Sequence, residues 1–137
     1  MTANSWHSCS NYTLVHHFGG KDPVLRRLFN AWLNYVRQFG PVTVIPQKTR
    51  IVFMVRMRFG GASVRAGRLE CRFLLRRRVD HPALHSVKEI VPGYFDSTIV
   101  LRNATQLKAP GLRALVRESY LLGCQDWRAR SGAPRAR

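Results

Sequence analysis

Residues 50–76 read RIVFMVRMRFGGASVRAGRLECRFLLR, and the period of this stretch decides the fold. From Arg50 to Phe59 the odd positions Ile51, Phe53, Val55, Met57 and Phe59 are all apolar, while the even positions include Arg50, Arg56 and Arg58. From Arg68 to Arg76 the pattern returns, with Leu69, Cys71, Phe73 and Leu75 alternating against Arg68, Glu70, Arg72 and Arg76. A period of two is the mark of strands with one buried face. Gly60-Gly61 reads as a tight turn or bulge and Ala66-Gly67 as a second turn, so the stretch is an antiparallel meander with one apolar face and one arginine face.

Outward from this centre, Val42 to Ile45 is a short strand closed by Pro46, and Tyr94 to Leu101 is the last full strand. His81-Pro82 and Pro92-Gly93 break residues 77–93 into a long loop, with Val87–Val91 able to form a short strand. Asp22-Pro23 starts a helix, with Asp as N-cap and Pro at the first helical position, and Gly40-Pro41 stops it. Its Leu25, Leu28, Phe29, Trp32, Val36 and Phe39 share one face. A second helix spans about Gly111 to Gly123, with Leu112, Leu115, Val116 and Tyr120 as its apolar stripe. The expected fold is therefore α+β: an antiparallel sheet of four to five strands with two helices, N-terminal and C-terminal, packed on one face. The chain of 137 residues is one domain's length, divided into a polar arm at 1–17, a single α+β domain at 18–124 and a basic, disordered tail at 125–137.

The chain carries 23 basic and 7 acidic residues, a net charge of +16. Without the four arginines of residues 128–137, 19 basic residues still face 7 acidic ones, so the charge belongs to the folded part. Ten basic residues lie between Lys48 and Arg78, against the single acid Glu70. The period places Arg50, Arg56, Arg58, Arg68, Arg72 and Arg76 on the sheet face opposite the helices. Like charges on neighbouring strands repel, and a polyanion laid over them relieves that repulsion and releases counterions. Lys48, Arg50, Arg56, Arg58, Arg68, Arg72 and Arg76 are thus the candidate contacts to nucleic acid or another polyanion. Two other readings stand beside this one: a solvated face that keeps the domain soluble, and a homodimer patch formed by Val52, Met54 and Leu74 ringed by arginine. The absence of aromatic residues from the arginine face argues against an RNA-recognition-type sheet.

Other chemistry is thinly represented. There is no nucleophile paired with a base, no carboxylate pair and no phosphate-cradling loop, since Gly19-Gly20-Lys21 lacks the rest of a P-loop. A small-ligand domain, or an enzyme whose site assembles only in space, stays open, and a pocket joining Lys48 to a carboxylate would mark it. Asp80-His81 beside Arg76-Arg77-Arg78 reads as a turn rather than an acid/base pair. Cys9, Cys71 and Cys124 are too widely spaced for a disulfide framework, and Cys71 reads as a buried small hydrophobe. No paired metal ligands such as C-x2-C occur, so neither metal nor cofactor is expected. No apolar run is long enough to span a bilayer and the N-terminal residues lack a signal-peptide core, which points to a cytoplasmic protein without a membrane role.

His17-Phe18-Gly-Gly-Lys-Asp-Pro-Val-Leu-Arg-Arg-Leu-Phe29, Phe39-Gly-Pro-Val42, Pro46-Gln-Lys-Thr-Arg-Ile-Val-Phe53, Arg58-Phe59-Gly60 and Arg117-Glu-Ser-Tyr120 occur in order at suitable distances. On these pieces residues 14–124 resemble the domain-of-unknown-function 5655 family. The resemblance implies a small α/β bacterial domain, found alone or appended to other modules, with no established activity. Some of those relatives carry a zinc-ribbon-like segment ending in Trp-His-Ser-Cys. Trp6-His7-Ser8-Cys9 is similar to that ending, but the preceding Cys pair is missing, so no zinc is expected on these residues. Lys48, in the Gln-Lys-Thr piece, is the first residue to test as a ligand contact; its other reading is a solvated turn lysine.

Overall fold

The computed structural model describes residues 12–125. Its helices are α1 (Leu14–Phe18), α2 (Pro23–Arg37) and α3 (Leu112–Gly123), with a 3-10 helix at Ala104–Lys108. Its strands are β1 (Thr43–Pro46), β2 (Ile51–Met54), β3 (Arg58–Arg65), β4 (Arg68–Leu75), β5 (Ser86–Val91) and β6 (Tyr94–Leu101). The six strands form one antiparallel sheet in the order β1-β2-β3-β4-β6-β5. The α+β class agrees with the sequence reading, but the sheet has six strands rather than four to five, and there are three helices rather than two.

The extra strands have distinct causes. Arg50 to Phe59 is not one strand: the chain turns at Val55–Met57, and the backbone N–H groups of Arg56 and Met57 both donate to Gly123 O at 2.9 Å. Between β2 and β3 the register slips at Phe53/Met54, which leaves Phe59 as an extra residue and sends its ring, 2% exposed, into the core. The bulge and turn together preserve the odd-numbered apolar pattern, so the alternation runs through a hairpin as though it were one strand. Gly60-Gly61 is not a turn but lies within β3. A side chain on Gly61, at φ +151°, would strike Ile51 O, and Trp32 Nε1 donates to Gly61 O at 3.0 Å. Ala66-Gly67 is the turn expected, joining β3 to β4. β5 falls in the second half of the stretch read as a loop, where Val87–Val91 was expected to be able to form a short strand.

The third helix is one turn long, too short to show a period. Leu14–His17 belong to the stretch read as an arm, yet His17 and Phe18 are buried, so the domain begins before residue 18. Residues 1–11, including Trp6–Cys9, and residues 126–137 of the expected tail lie outside the described residues.

α2 is capped by the Asp22 carboxylate, which accepts from Val24 N at 3.0 Å, and it buries Leu25, Leu28, Phe29, Trp32, Leu33 and Val36. α3 buries Leu112, Leu115, Val116 and Tyr120. Both pack on the sheet face formed by Phe53, Leu69, Cys71, Phe73, Leu75, Ile99 and Leu101. Ser119 joins helix to sheet where β3 and β4 separate: its hydroxyl accepts from Leu74 N at 3.0 Å and donates to Phe59 O at 3.3 Å. The other face of the sheet is left without a covering layer among the described residues.

Candidate anion-binding face

The register defines the uncovered face. Val52 lies opposite Gly61, Gly61 opposite Arg72, and Arg72 opposite Thr98, while Leu74 lies opposite Asp96 and Asp96 opposite Lys88. Because successive side chains on a strand alternate, these residues share the side away from the helices. Two hollows open there. One, of about 420 Å³, is lined by Gln47, Lys48, Thr49, Arg50, Ser63, Arg65 and Arg72. The other, of about 190 Å³, is lined by Arg50, Val52, Arg58, Arg72, Leu74, Ile90 and Asp96, among others. Arg50 and Arg72 belong to both, so the hollows form one track across β2, β3 and β4.

The track is held by specific contacts. Residues 47–50 make a tight turn, with Gln47 N donating to Arg50 O at 2.8 Å and Arg50 Nε donating to Gln47 Oε1 at 3.1 Å. Two adjacent histidines of α1 clamp this turn from outside the sheet: His16 Nε2 is 2.9 Å from Lys48 O and His17 Nε2 is 2.7 Å from Gln47 O. A neutral ring donating to each carbonyl satisfies both bonds. Burial pulls the His17 pKa below the usual histidine value, against the opposing pull of its bond to Gln47. Arg72 Nη2 donates to the buried Ser63 Oγ at 2.8 Å, which ties its guanidinium to β3.

Of the seven residues named from sequence, four are brought together: Lys48, Arg50, Arg58 and Arg72. Arg68 sits on the same face, but Glu70 bridges Arg68 and Arg65 at 3.4 and 3.3 Å and offsets their charge. Arg76 lies past the end of β4, where its Nε donates to Gly93 O at 2.8 Å and its guanidinium stacks 4.3 Å from the Tyr94 ring centroid. Arg56 is not on the strand face, because the bulge and turn carry it to the C-terminal end of α3. Val52 is only 5% exposed, which removes it from the apolar patch read from the sequence, and Met54 and Leu74 are half-buried.

Asp96, Ser63 and Arg65 were not among the residues named from sequence. Asp96 is the residue that changes the chemistry. It is half-buried, and among the described residues it makes no ion pair within 4 Å. Burial raises its carboxyl above the usual range, outweighing the opposing pull of Arg72, Arg50 and Lys88. An acid inside the apolar run Tyr94–Leu101 was its only signal in the sequence.

Both ring nitrogens of His81 are engaged locally, Nε2 with Pro110 O at 2.7 Å and Nδ1 accepting from Ala83 N at 3.0 Å. It organises a turn. No helix among the described residues is long and apolar enough to cross a membrane.

No family model, no curated protein and no solved structure matches the chain.

The pieces quoted for the family resemblance meet in space. His17 bonds the Gln47 carbonyl, and Tyr120 OH donates to Pro41 O at 2.9 Å, beside Gly40. Those pieces include His17, one of the two histidines that hold the turn bearing Lys48, but not His16.

Proposed function

We propose that the chain is a basic binding module that takes nucleic acid or another linear polyanion along the track formed by Lys48, Arg50, Arg58 and Arg72. The observation that carries this reading is the sharing of Arg50 and Arg72 between two adjoining hollows. Cations held this close repel one another, and successive phosphates replace that repulsion with attraction while releasing counterions. The excess of 23 basic over 7 acidic residues adds a long-range attraction. Phosphate contacts of this kind position a strand without reading its sequence. The resemblance to the domain-of-unknown-function 5655 family is kept as part of the proposal, and it brings no activity with it.

The test is fluorescence anisotropy of a labelled single-stranded oligonucleotide at low salt. The wild-type chain binds, and the double variant Arg50→Ala/Arg72→Ala binds at least about tenfold more weakly, as expected for the loss of two charge-assisted contacts. Arg27→Ala, on the exposed face of α2, binds like wild type. Absence of wild-type binding, or a double variant that binds as wild type does, refutes the reading.

Self-association is a second reading, favoured by the edge strand β5, on which Ile90 and Val91 are each 52% exposed. Light scattering at high protein concentration decides it, a dimer supporting and a monomer excluding it.

A further inference from the structure

An acceptor-only group stands in the middle of a face otherwise suited to phosphate. An ionised carboxylate has no hydrogen to donate. A phosphate placed against the Asp96 carboxylate would meet like charge, although Arg50, Arg58 and Arg72 line the same hollow, so the group that faces the carboxylate itself has to bring donors of its own. Val52, Leu74 and Ile90 give this hollow an apolar side beside its arginines. Arg58 adds a planar guanidinium, whose face stacks on a flat ring while its N–H edge still reaches the phosphate of the same nucleotide. The larger hollow, reached across Arg50 and Arg72, holds no carboxylate among its lining residues. Charge and donor requirements therefore change from one hollow to the next: phosphate in the larger, a flat, donor-bearing group in the smaller.

We infer, on the reading that this face binds nucleic acid, that the hollow beside Asp96 is a subsite for an unpaired guanine base. Guanine alone among the common bases presents two adjacent donors, N1–H and the 2-amino group, on its Watson–Crick edge, and these match the two oxygens of one carboxylate. Adenine and cytosine each present one amino donor beside a ring acceptor. Uracil presents its single N–H between two carbonyl oxygens, which face the carboxylate unfavourably. A paired base has this edge occupied, so the strand is single in this region. Lys88, opposite Asp96 on β5, adds positive charge at the margin of the subsite.

The experiment compares three labelled oligomers by anisotropy: hexauridylate, the same oligomer with one internal guanosine, and the same oligomer with inosine in that place. The guanosine oligomer binds at least about fivefold more tightly than hexauridylate, the low end of the discrimination a bidentate base contact provides. Inosine lacks the 2-amino group and falls between them. Asp96→Asn abolishes the guanosine preference and binds hexauridylate as tightly as wild type or more so, because a negative charge leaves the track. Equal, salt-sensitive binding of all three oligomers overturns the guanine subsite and leaves the anion-binding reading standing. A guanosine preference that survives in Asp96→Asn also overturns it. Absence of binding to any oligomer overturns both.

Discussion

Ser119→Ala removes one oxygen and leaves two backbone groups without partners. The Ser119 hydroxyl is 0% exposed and bridges Leu74 N and Phe59 O, at the point where β3 and β4 part and α3 crosses them. No cavity of consequence forms, so the cost is that of the unmade hydrogen bonds, about 2 kcal/mol within a range of about 1–3. For a chain of 137 residues, between the two size classes for which the conversion is known, about 3–5 °C of Tm corresponds to each kcal/mol, so the variant melts about 6–10 °C lower. Calorimetry measures the shift. Hydrogen exchange locates it, since the Leu74 amide becomes less protected while Cys71, deep in the same strand, does not. A Tm within about 2 °C of wild type, or unchanged Leu74 protection, refutes the assignment of Ser119 as the bridge between helix and sheet.

Gly61→Ala forces a side chain against Ile51 O at a backbone conformation L-residues rarely adopt, and it displaces the carbonyl that Trp32 holds. The variant is destabilised by more than about 3 kcal/mol, read as insoluble expression or a collapsed melting transition. His17 has a folded-state pKa below its unfolded value, so its contribution to stability is present above about pH 6.5 and is lost as pH falls through the window below it. His17→Asn flattens that acid limb of the Tm–pH curve and weakens oligonucleotide binding by loosening the Lys48 turn. Asp96 has the opposite sign: its raised carboxyl costs stability while ionised, so Asp96→Asn melts at or above the wild-type temperature at pH 7, and the difference narrows as pH falls through the carboxylate range.

The two longer helices and most strands were legible because each is long enough to show its period. α2 begins at the expected Asp22-Pro23, β6 runs from Tyr94 to Leu101, and α3 carries the expected stripe. What escaped was encoded in changes of parity or in tertiary pairing. The slip at Phe53/Met54 and the turn that follows preserve the odd-even pattern, which hid one strand boundary and misplaced Arg56. β5, read only as an optional short strand at Val87–Val91, is exposed over most of its length, so no alternation marks it. α1 is one turn, held by histidine bonds to carbonyls 30 and 32 residues away, which no local pattern reports. For the face, parity sufficed for Arg72, which stays on a regular strand, and for Arg58, which pairs with Met54 on the far side of the bulge and so keeps the parity of β2. Asp96 could not be placed, since its position beside Leu74 depends on β4 pairing with β6 rather than with its neighbour in sequence.

The salt dependence of binding shows whether this face carries the affinity. Each phosphate neutralised on a single strand contributes about −0.7 to the slope of log Kobs against log salt, so Lys48, Arg50, Arg58 and Arg72 together account for about −2.8, or about a 50-fold loss between about 50 and 200 mM salt. Arg50→Ala/Arg72→Ala reduces the steepness by about 1.4, leaving about a sevenfold loss for the remaining pair over the same interval. A variant slope equal to that of wild type would mean that the affinity resides elsewhere on the chain, and would contradict the assignment of this face as the binding surface.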